Sequence, residues 1–258
     1  MDRRTALMWL GTGLLTGCGG GGGGAGTSLA GAGVGAGADT AGASPDLPQS
    51  VTVEPGSGAA GEGAPPPAQQ LQALSPHIAC WGDSITDLYA PTLQQAYPDR
   101  QVHNGGVIGE TSMQITARLQ ADSSHRSWIT ILWYGHNNWD KDQVKADIAA
   151  SIASLATGNE AFVVLSMLNW AGSGERGTQE YTETMRVNGE LAAQYPEHYL
   201  DMHRYLVNLY DPNSWQDVQD FQNDLPPSSL RFDRIHLNEA GCRAVTAKLR
   251  EFIESRGW

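Results

Sequence analysis

Beyond about residue 70, short apolar runs alternate with segments in which apolar residues recur every three or four positions. The run Trp128–Trp133 is almost wholly apolar and does not alternate, which is typical of a strand covered on both faces. The same reasoning predicts further strands over residues 77–81, 101–104, 161–167 and 199–202.

Helices are predicted between these strands, over residues 88–97, 111–120 and 180–194. Another lies around residues 144–155, where apolar residues recur at steps of four, four and three and so share one helical face. The chain ends in a helix whose inner stripe is Val245, Leu249, Phe252 and Ile253. Asn238 is placed to cap this helix, and Glu239 lies in its first turn.

This alternation predicts an α/β fold, a three-layer α/β/α sandwich around a mostly parallel five-stranded sheet. In such sheets, functional sites form beyond the carboxyl ends of the strands. Residues 211–229 are rich in Asn, Asp, Gln and Pro and lack periodicity. We expect them to form a loop that shapes a substrate cleft.

The N-terminal segment is expected to direct export. Arg3 and Arg4 precede an apolar run over residues 5–15 that is too short to span a bilayer. Leu15-Thr16-Gly17-Cys18 then resembles a bacterial lipobox, so residues 1–17 would be a signal peptide and Cys18 the lipidated N-terminus. A plain secretory signal that contains a cysteine is the alternative. Lipidation would place the protein in the bacterial cell envelope, facing the periplasm or the exterior.

Residues 18–70 are dominated by Gly, Ala, Ser and Pro, and too little apolar surface is present to offset the entropy of ordering them. We expect a disordered tether there and a single domain over residues 71–258. No other apolar run in the sequence is long enough to span a membrane either, so membrane contact is expected through the lipid alone. The protein is expected to be a monomer.

The formal net charge is −12, and it would be −13 without Asp2, Arg3 and Arg4. So acidic a chain is a poor partner for nucleic acid, and neutral substrates are expected. Cys80 and Cys242 are predicted to be buried free thiols, although export would permit a disulfide. We expect neither a metal nor a cofactor.

Four short motifs carry candidate chemistry: Gly82-Asp83-Ser84, Gly109-Glu110-Thr111-Ser112, Gly135-His136-Asn137 and Asp233-Arg234-Ile235-His236. Ser84 is a candidate nucleophile, although a serine before a helix is also a common N-cap. His236 is the candidate base and Asp233 the acid that orients it. Gly109 and Asn137 could donate hydrogen bonds to an oxyanion. Ser84, Gly109 and Asn137 each follow a predicted strand, so the topology brings them to one edge.

Six other histidines compete with His236 for the role of base. His203 ranks second because it follows Asp201 at the end of a predicted strand. The Gly-x-Ser-x-Gly elbow of α/β-hydrolases is not found in the predicted domain.

The ordered motifs resemble those of the SGNH (GDSL-type) hydrolase family over residues 78–247. The resemblance implies a flavodoxin-like sandwich and serine-dependent acyl transfer, with Ser84, Gly109 and Asn137 forming the oxyanion hole. Asn137-Asn138 departs from the usual Asn-Asp of the third motif, which puts local loop support in question. Asp87 stands where a small residue is frequent and would narrow the entrance.

Three indoles, those of Trp139, Trp170 and Trp215, are candidate substrate contacts, although packing roles are equally compatible with their positions. We expect a small-molecule or glycan ester as substrate, with a preference for O-acyl groups on carbohydrate. A lipase, a thioesterase and a transacylase remain open. The alternative of another class is a non-catalytic lipoprotein that binds a glycan or a protein.

Overall fold

The computed structural model of the protein describes residues 74–258. The predicted signal peptide, the predicted lipidation site Cys18 and the predicted tether lie outside these residues. Within residues 74–258, no helix combines the length and the apolar character that crossing a bilayer requires.

The core of the fold is a five-stranded parallel sheet with the strand order β2-β1-β3-β4-β5. The strands are β1 Ser75–Gly82, β2 Val102–Gly106, β3 Trp128–Trp133, β4 Phe162–Leu165 and β5 Tyr199–Leu200. The helices are α1 Ser84–Ala96, α2 Ser112–Ala121, α3 Lys141–Ala153, α4 Gln179–Gln194, α5 Met202–Val207, α6 Trp215–Gln222 and α7 Glu239–Ser255.

Each face of the sheet is covered by its own layer of helices. One hydrophobic cluster joins the sheet to α1, α5 and α7, and the other joins it to α2, α3 and α4. Successive strand residues, such as Ile131 and Leu132, therefore contribute to opposite clusters. The predicted three-layer α/β fold is confirmed.

The last helix begins where its capping signal predicts. Asn238 Oδ1 accepts hydrogen bonds from the backbone amides of Ala240 and Gly241, at 2.9 and 3.1 Å. Val245 and Leu249 of the predicted stripe are fully buried. This cap fixes the chain directly after the Asp233–His236 motif.

Several elements have other limits than predicted, as when α1 begins at Ser84 and β4 covers only Phe162–Leu165, and the differences after β4 bear most on the site. The fifth strand is only two residues long, because Asp201 turns the chain into α5 by accepting a hydrogen bond from the Arg204 amide at 2.9 Å. The predicted loop over residues 211–229 is wrong, since it contains α6 and a short 3-10 helix, Ser228–Leu230. The buried residues of α6 are Asp217 and Asp220, so this helix lacks an apolar stripe.

The two cysteines of the described domain, Cys80 and Cys242, are both free and buried. This confirms the expectation of two unpaired thiols. Burial raises the pKa of Cys80 to about 12, which makes that thiol unreactive at neutral pH.

Candidate active site

Ser84 lies at the carboxyl end of β1, as the first residue of α1. The helix cap is Asp83, whose Oδ1 accepts a hydrogen bond from the Ile85 amide at 3.0 Å. The alternative in which Ser84 caps the helix is therefore wrong, and its hydroxyl is free for other contacts. As the first helical residue, Ser84 also carries a backbone N–H that intrahelical bonds cannot satisfy.

Ser84, His236 and Asp233 form a continuous hydrogen-bonded chain. His236 Nε2 lies 2.9 Å from Ser84 Oγ, and His236 Nδ1 lies 2.7 Å from Asp233 Oδ2. The serine and the histidine are 152 positions apart in sequence. Both distances are those of good hydrogen bonds, as the predicted roles of nucleophile, base and orienting acid require.

The negative charge of Asp233 determines which ring nitrogen of His236 carries the hydrogen. Partial burial acts to raise the pKa of Asp233, but hydrogen bonds from the Ile235 amide, the His236 ring and the His236 amide hold it below its ordinary value. Asp233 is therefore an acceptor at neutral pH, and Nδ1 of His236 must carry the hydrogen between them. Nε2 is left as the acceptor that faces the Ser84 hydroxyl.

The Asp233–His236 loop is supported by α6, a helix that the pattern of apolar residues does not predict. Arg231 and Asp220 form a buried ion pair at 3.1 Å. Arg231 Nη1 also donates to the carbonyl oxygen of Asp233 at 2.9 Å. Because both partners of the ion pair are nearly inaccessible to solvent, the loop is held against a fixed support. A serine N-cap at Ser214 was the available signal for this helix.

The candidate oxyanion donors, Gly109 and Asn137, lie on two loops that contact each other. Asn137 Nδ2 donates to the carbonyl oxygen of Glu110 at 3.0 Å, which leaves its second N–H for a ligand. Gly109 has a φ of 79°, a conformation that disfavours a side chain. Together with Ser84, these residues follow β2, β3 and β1, so the predicted convergence at one edge agrees with the topology.

Asn138, the departure from the family pattern, bonds to both polar groups of Ser112. Its Oδ1 accepts from the Ser112 amide at 2.9 Å, and its Nδ2 donates to Ser112 Oγ at 2.7 Å. The Ser112 hydroxyl in turn donates to Asp147 Oδ2 at 2.5 Å. The carboxylate of this buried network thus lies on α3 rather than at position 138. Asn138 therefore does support the loop, and it does so as a neutral donor.

We predict that Asn138→Asp destabilises the protein by about 1–3 kcal/mol, because two buried carboxylates would compete for one serine hydrogen. Adding Asp147→Asn should restore most of this loss, since the amide introduced on α3 could donate to Ser112 Oγ while Ser112 donates to the new aspartate. Urea unfolding of the two variants and the parent checks this. A double variant no more stable than Asn138→Asp contradicts the network.

Asp83 is buried beside the site, and its burial raises its pKa to about 6, against the opposing effects of the Ile85 amide and His236. The unfolded carboxyl has its pKa near 3.8. The folded protein therefore binds this proton more tightly than the unfolded chain does. Protonation of Asp83 raises the free energy of unfolding below about pH 4, and this contribution is lost as the pH rises through 6.

Asp83→Asn preserves the helix cap and removes this titration. We predict that the free energy of unfolding of the variant, relative to that of the parent, rises by up to about 3 kcal/mol between pH 4 and pH 7. Unfolding free energies measured for both proteins across this range test the prediction, and a difference that does not change with pH contradicts it.

Two of the three candidate indoles share a cavity beside Asn137. Trp139 and Trp170 line it, and Trp139 is fully exposed. Trp215 instead lies at the start of α6, is 74% exposed and does not line this cavity.

Asp87, which was expected to narrow the entrance, is held in α1, where its Oδ1 accepts a hydrogen bond from Asn104 Nδ2 at 3.0 Å.

His203, the second candidate base, is committed elsewhere. Its ring is buried, and Nε2 lies 3.0 Å from both Asn169 Oδ1 and the carbonyl oxygen of Asp224. Since both neighbours are acceptors, Nε2 carries a hydrogen and cannot take a proton from a serine. His236 is therefore the histidine that the geometry favours.

In the described part of the chain, His103, Asp122 and His125 bring potential metal ligands within 4.8 Å of one another. The two imidazoles are stacked, with centroids 4.0 Å apart and an 18° interplanar angle, so their nitrogens do not converge on one point. Asp122 Oδ2 is bonded to His125 Nδ1 at 2.7 Å, and Oδ1 accepts from the Ser124 and His125 amides. This is a hydrogen-bonded turn before β3, and we assign no metal to it.

Comparison with known proteins agrees with the motifs. The GDSL-like lipase/acylhydrolase family matches residues 50–244. The tail spike protein of Salmonella phage epsilon15 is 28% identical over 149 residues, which is 53% of this chain and only 14% of the tail spike. The chain therefore spans a small part of that relative.

Two solved structures have similar folds. The lipase/acylhydrolase from Enterococcus faecalis is 18% identical, with 70% of this chain and 97% of that chain covered and a TM-score of 0.55. The acetyl xylan esterase AlAXEase is 17% identical, with 68% and 98% covered and a TM-score of 0.55. At these identities the likeness concerns the fold.

The chain belongs to the GDSL-like lipase/acylhydrolase family, as the match over most of its predicted domain shows. This confirms the resemblance inferred from the motifs. Membership of this family supports the expectation of an enzyme that hydrolyses ester bonds.

Proposed function

We propose that the protein is a serine esterase that acts through an acyl-serine intermediate. The observation that carries the proposal is the unbroken chain from Ser84 Oγ through His236 to Asp233, with distances of 2.9 and 2.7 Å. Serine hydroxyls are poor nucleophiles until a neighbouring base removes their proton, and this chain supplies that base.

In the proposed reaction, Ser84 Oγ attacks the acyl carbon while His236 Nε2 takes the hydroxyl proton. Asp233 stabilises the imidazolium that forms. The imidazolium then protonates the departing alcohol, which leaves the acyl group on Ser84. Water attacks this ester, His236 takes a proton from the water, and returning it to Ser84 Oγ releases the carboxylic acid.

We propose that three N–H groups stabilise the oxyanion: the backbone amides of Ser84 and Gly109 and the side chain of Asn137. Donors fixed before the reaction are effective because they need no reorganisation when charge develops. The bond between Asn137 and the Glu110 carbonyl supports this role, because it orients the amide and couples the two donor loops.

For the substrate, we propose an O-acyl group on carbohydrate. Aromatic walls beside Asn137 support this choice, and one structural neighbour is an acetyl xylan esterase. A lipid-type ester is the second candidate. It is favoured by exposed apolar side chains near the motifs, since Ile108 is 76% and Phe232 61% exposed.

Hydrolysis of a panel of esters tests the proposal. We expect the protein to hydrolyse p-nitrophenyl acetate and acetylated neutral oligosaccharides faster than p-nitrophenyl palmitate. The reverse order would favour the lipid-type alternative. A well-folded protein that hydrolyses none of them would contradict the esterase proposal and favour a non-catalytic binding protein.

A further inference from the structure

An open cavity of about 230 Å³ adjoins the candidate oxyanion donor Asn137. It is smaller than the roughly 300–1,000 Å³ of pockets that hold drug-sized ligands, so one ring is the natural occupant. Its walls combine aromatic rings with polar groups, namely His136, Asn137, Asn138, Trp139, Trp170 and Glu180.

Trp170 is held rigidly in this wall. Its Nε1 donates to Ser173 Oγ, the His136 ring meets it edge-on at 4.4 Å, and Lys141 Nζ lies 5.6 Å from its centroid. An indole fixed on several sides offers a binding surface that loses little conformational entropy when a ligand arrives.

Trp139, which also lines the cavity, is fully exposed. A large apolar ring left uncovered costs free energy, and burial against a ligand would recover part of it. Indole faces pack well against the C–H face of a sugar ring, whose hydroxyls remain free for polar partners.

Glu180 provides such a polar partner. One carboxylate oxygen pairs with the buried Lys141 Nζ at 2.7 Å, which leaves the second for a ligand hydroxyl. An alkyl chain in the same place would desolvate that oxygen without donating a hydrogen bond, which is unfavourable. A carboxylate on the ligand would be repelled.

His136 adds no positive charge to the cavity. Its burial, and secondarily the Lys141 ammonium, lower the pKa of His136 to about 4, so the ring is neutral at physiological pH. The positive charge of Lys141 is itself paired with Glu180, and the chain as a whole is strongly acidic.

We infer that this cavity binds the uncharged sugar ring that carries the ester, with its face against the indoles of Trp139 and Trp170 and a hydroxyl donating to Glu180. The inference rests on the proposed esterase function. It narrows the substrate to acyl groups on neutral sugars and disfavours acidic ones.

The test compares three acetate esters: p-nitrophenyl acetate, which has no sugar, methyl 3-O-acetylglucoside, whose other hydroxyls are free, and its acidic counterpart, methyl 3-O-acetylglucuronide with a free carboxylate. For Trp139→Ala, we expect the ratio of kcat/KM for the glucoside to that for p-nitrophenyl acetate to fall about tenfold, mainly through KM. Leu209→Ala, which truncates an exposed apolar side chain that does not line the cavity, is the control and should keep the parent ratio.

Glu180→Gln should lower the ratio of kcat/KM for the glucoside to that for the glucuronide, because it removes the negative charge that repels the carboxylate of the glucuronide. If Trp139→Ala leaves the ratio of kcat/KM for the glucoside to that for p-nitrophenyl acetate unchanged, the inference is overturned. Equal losses on both esters count as this outcome. An unchanged sugar preference in Glu180→Gln overturns the assignment of that residue. Failure of the esterase proposal is recognisable separately, as p-nitrophenyl acetate hydrolysis that is absent or survives Ser84→Ala.

Discussion

Replacing Ser84 with alanine is expected to lower kcat for p-nitrophenyl acetate by roughly 10⁴–10⁶. In the proposed mechanism, the substitution removes the atom that carries the acyl group, while Asn137 and Gly109 remain able to bind an oxyanion. Those donors account for the small activity that we expect to remain. Initial rates at saturating ester, with the variant purified separately from the parent, measure this loss.

Ser255→Ala is the matched control, because Ser255 lies exposed at the end of α7 and its hydroxyl bonds only the Phe252 carbonyl. It should keep the parent rate. Both variants should show the parent unfolding transition, since Ser84 is not the cap of α1. A Ser84→Ala enzyme within tenfold of the parent would mean that another group performs the attack.

Replacing Asn137 with alanine is expected to lower kcat by roughly 10²–10³ with a smaller change in KM. The reason is that, in the proposed mechanism, its amide contacts charge that exists in the transition state and hardly at all in the bound ester. The loss should exceed that of an ordinary hydrogen bond because the donor is held in place by the Glu110 carbonyl at 3.0 Å. Steady-state kinetics on p-nitrophenyl acetate separate kcat from KM.

Asn213→Ala is the control for the substitution, since Asn213 lies exposed in the turn before α6 and bonds only to its neighbour Asp211. It should leave both constants unchanged. If Asn137→Ala keeps the parent kcat, Asn137 is not an oxyanion donor. If KM alone rises, the side chain binds the substrate and the transition state equally.

The sequence predicted the sheet and the motif edge because covered parallel strands produce unbroken apolar runs. Trp128–Trp133 has the predicted limits, and Asn137 follows it as expected. Since all the strands are parallel, a motif after one carboxyl end lies beside a motif after the next. His236 follows no strand, and it reaches Ser84 because the capped start of α7 and the contacts of Arg231 hold its loop in place.

Hydrophobic periodicity could not predict the helix α6, because its buried positions carry aspartates. Asp217 is satisfied by Ser229, and Asp220 by Ser228 and Arg231. Hydrophobic periodicity does not register burial of this kind. Only the tertiary contacts show that these acids face other parts of the chain and not solvent.

The role of Asn138 could not be inferred from the sequence either. Its effect on the loop depends on Ser112 and Asp147, which lie 35 positions apart. From the sequence, an asparagine in place of the usual aspartate suggested weaker support for the loop. The structure shows that the Ser112 hydroxyl donates to α3 and accepts from position 138, so a neutral donor is the residue that fits.

Labelling with a fluorophosphonate, followed by peptide mapping, tests the central claim most directly. A hydroxyl activated by His236 should react with this probe in the folded protein, and we predict a single modified residue, Ser84. Labelling should disappear in Ser84→Ala and persist in Ser255→Ala. A folded protein that takes up no label, or takes it up at another serine, would contradict the assignment of Ser84 as the nucleophile.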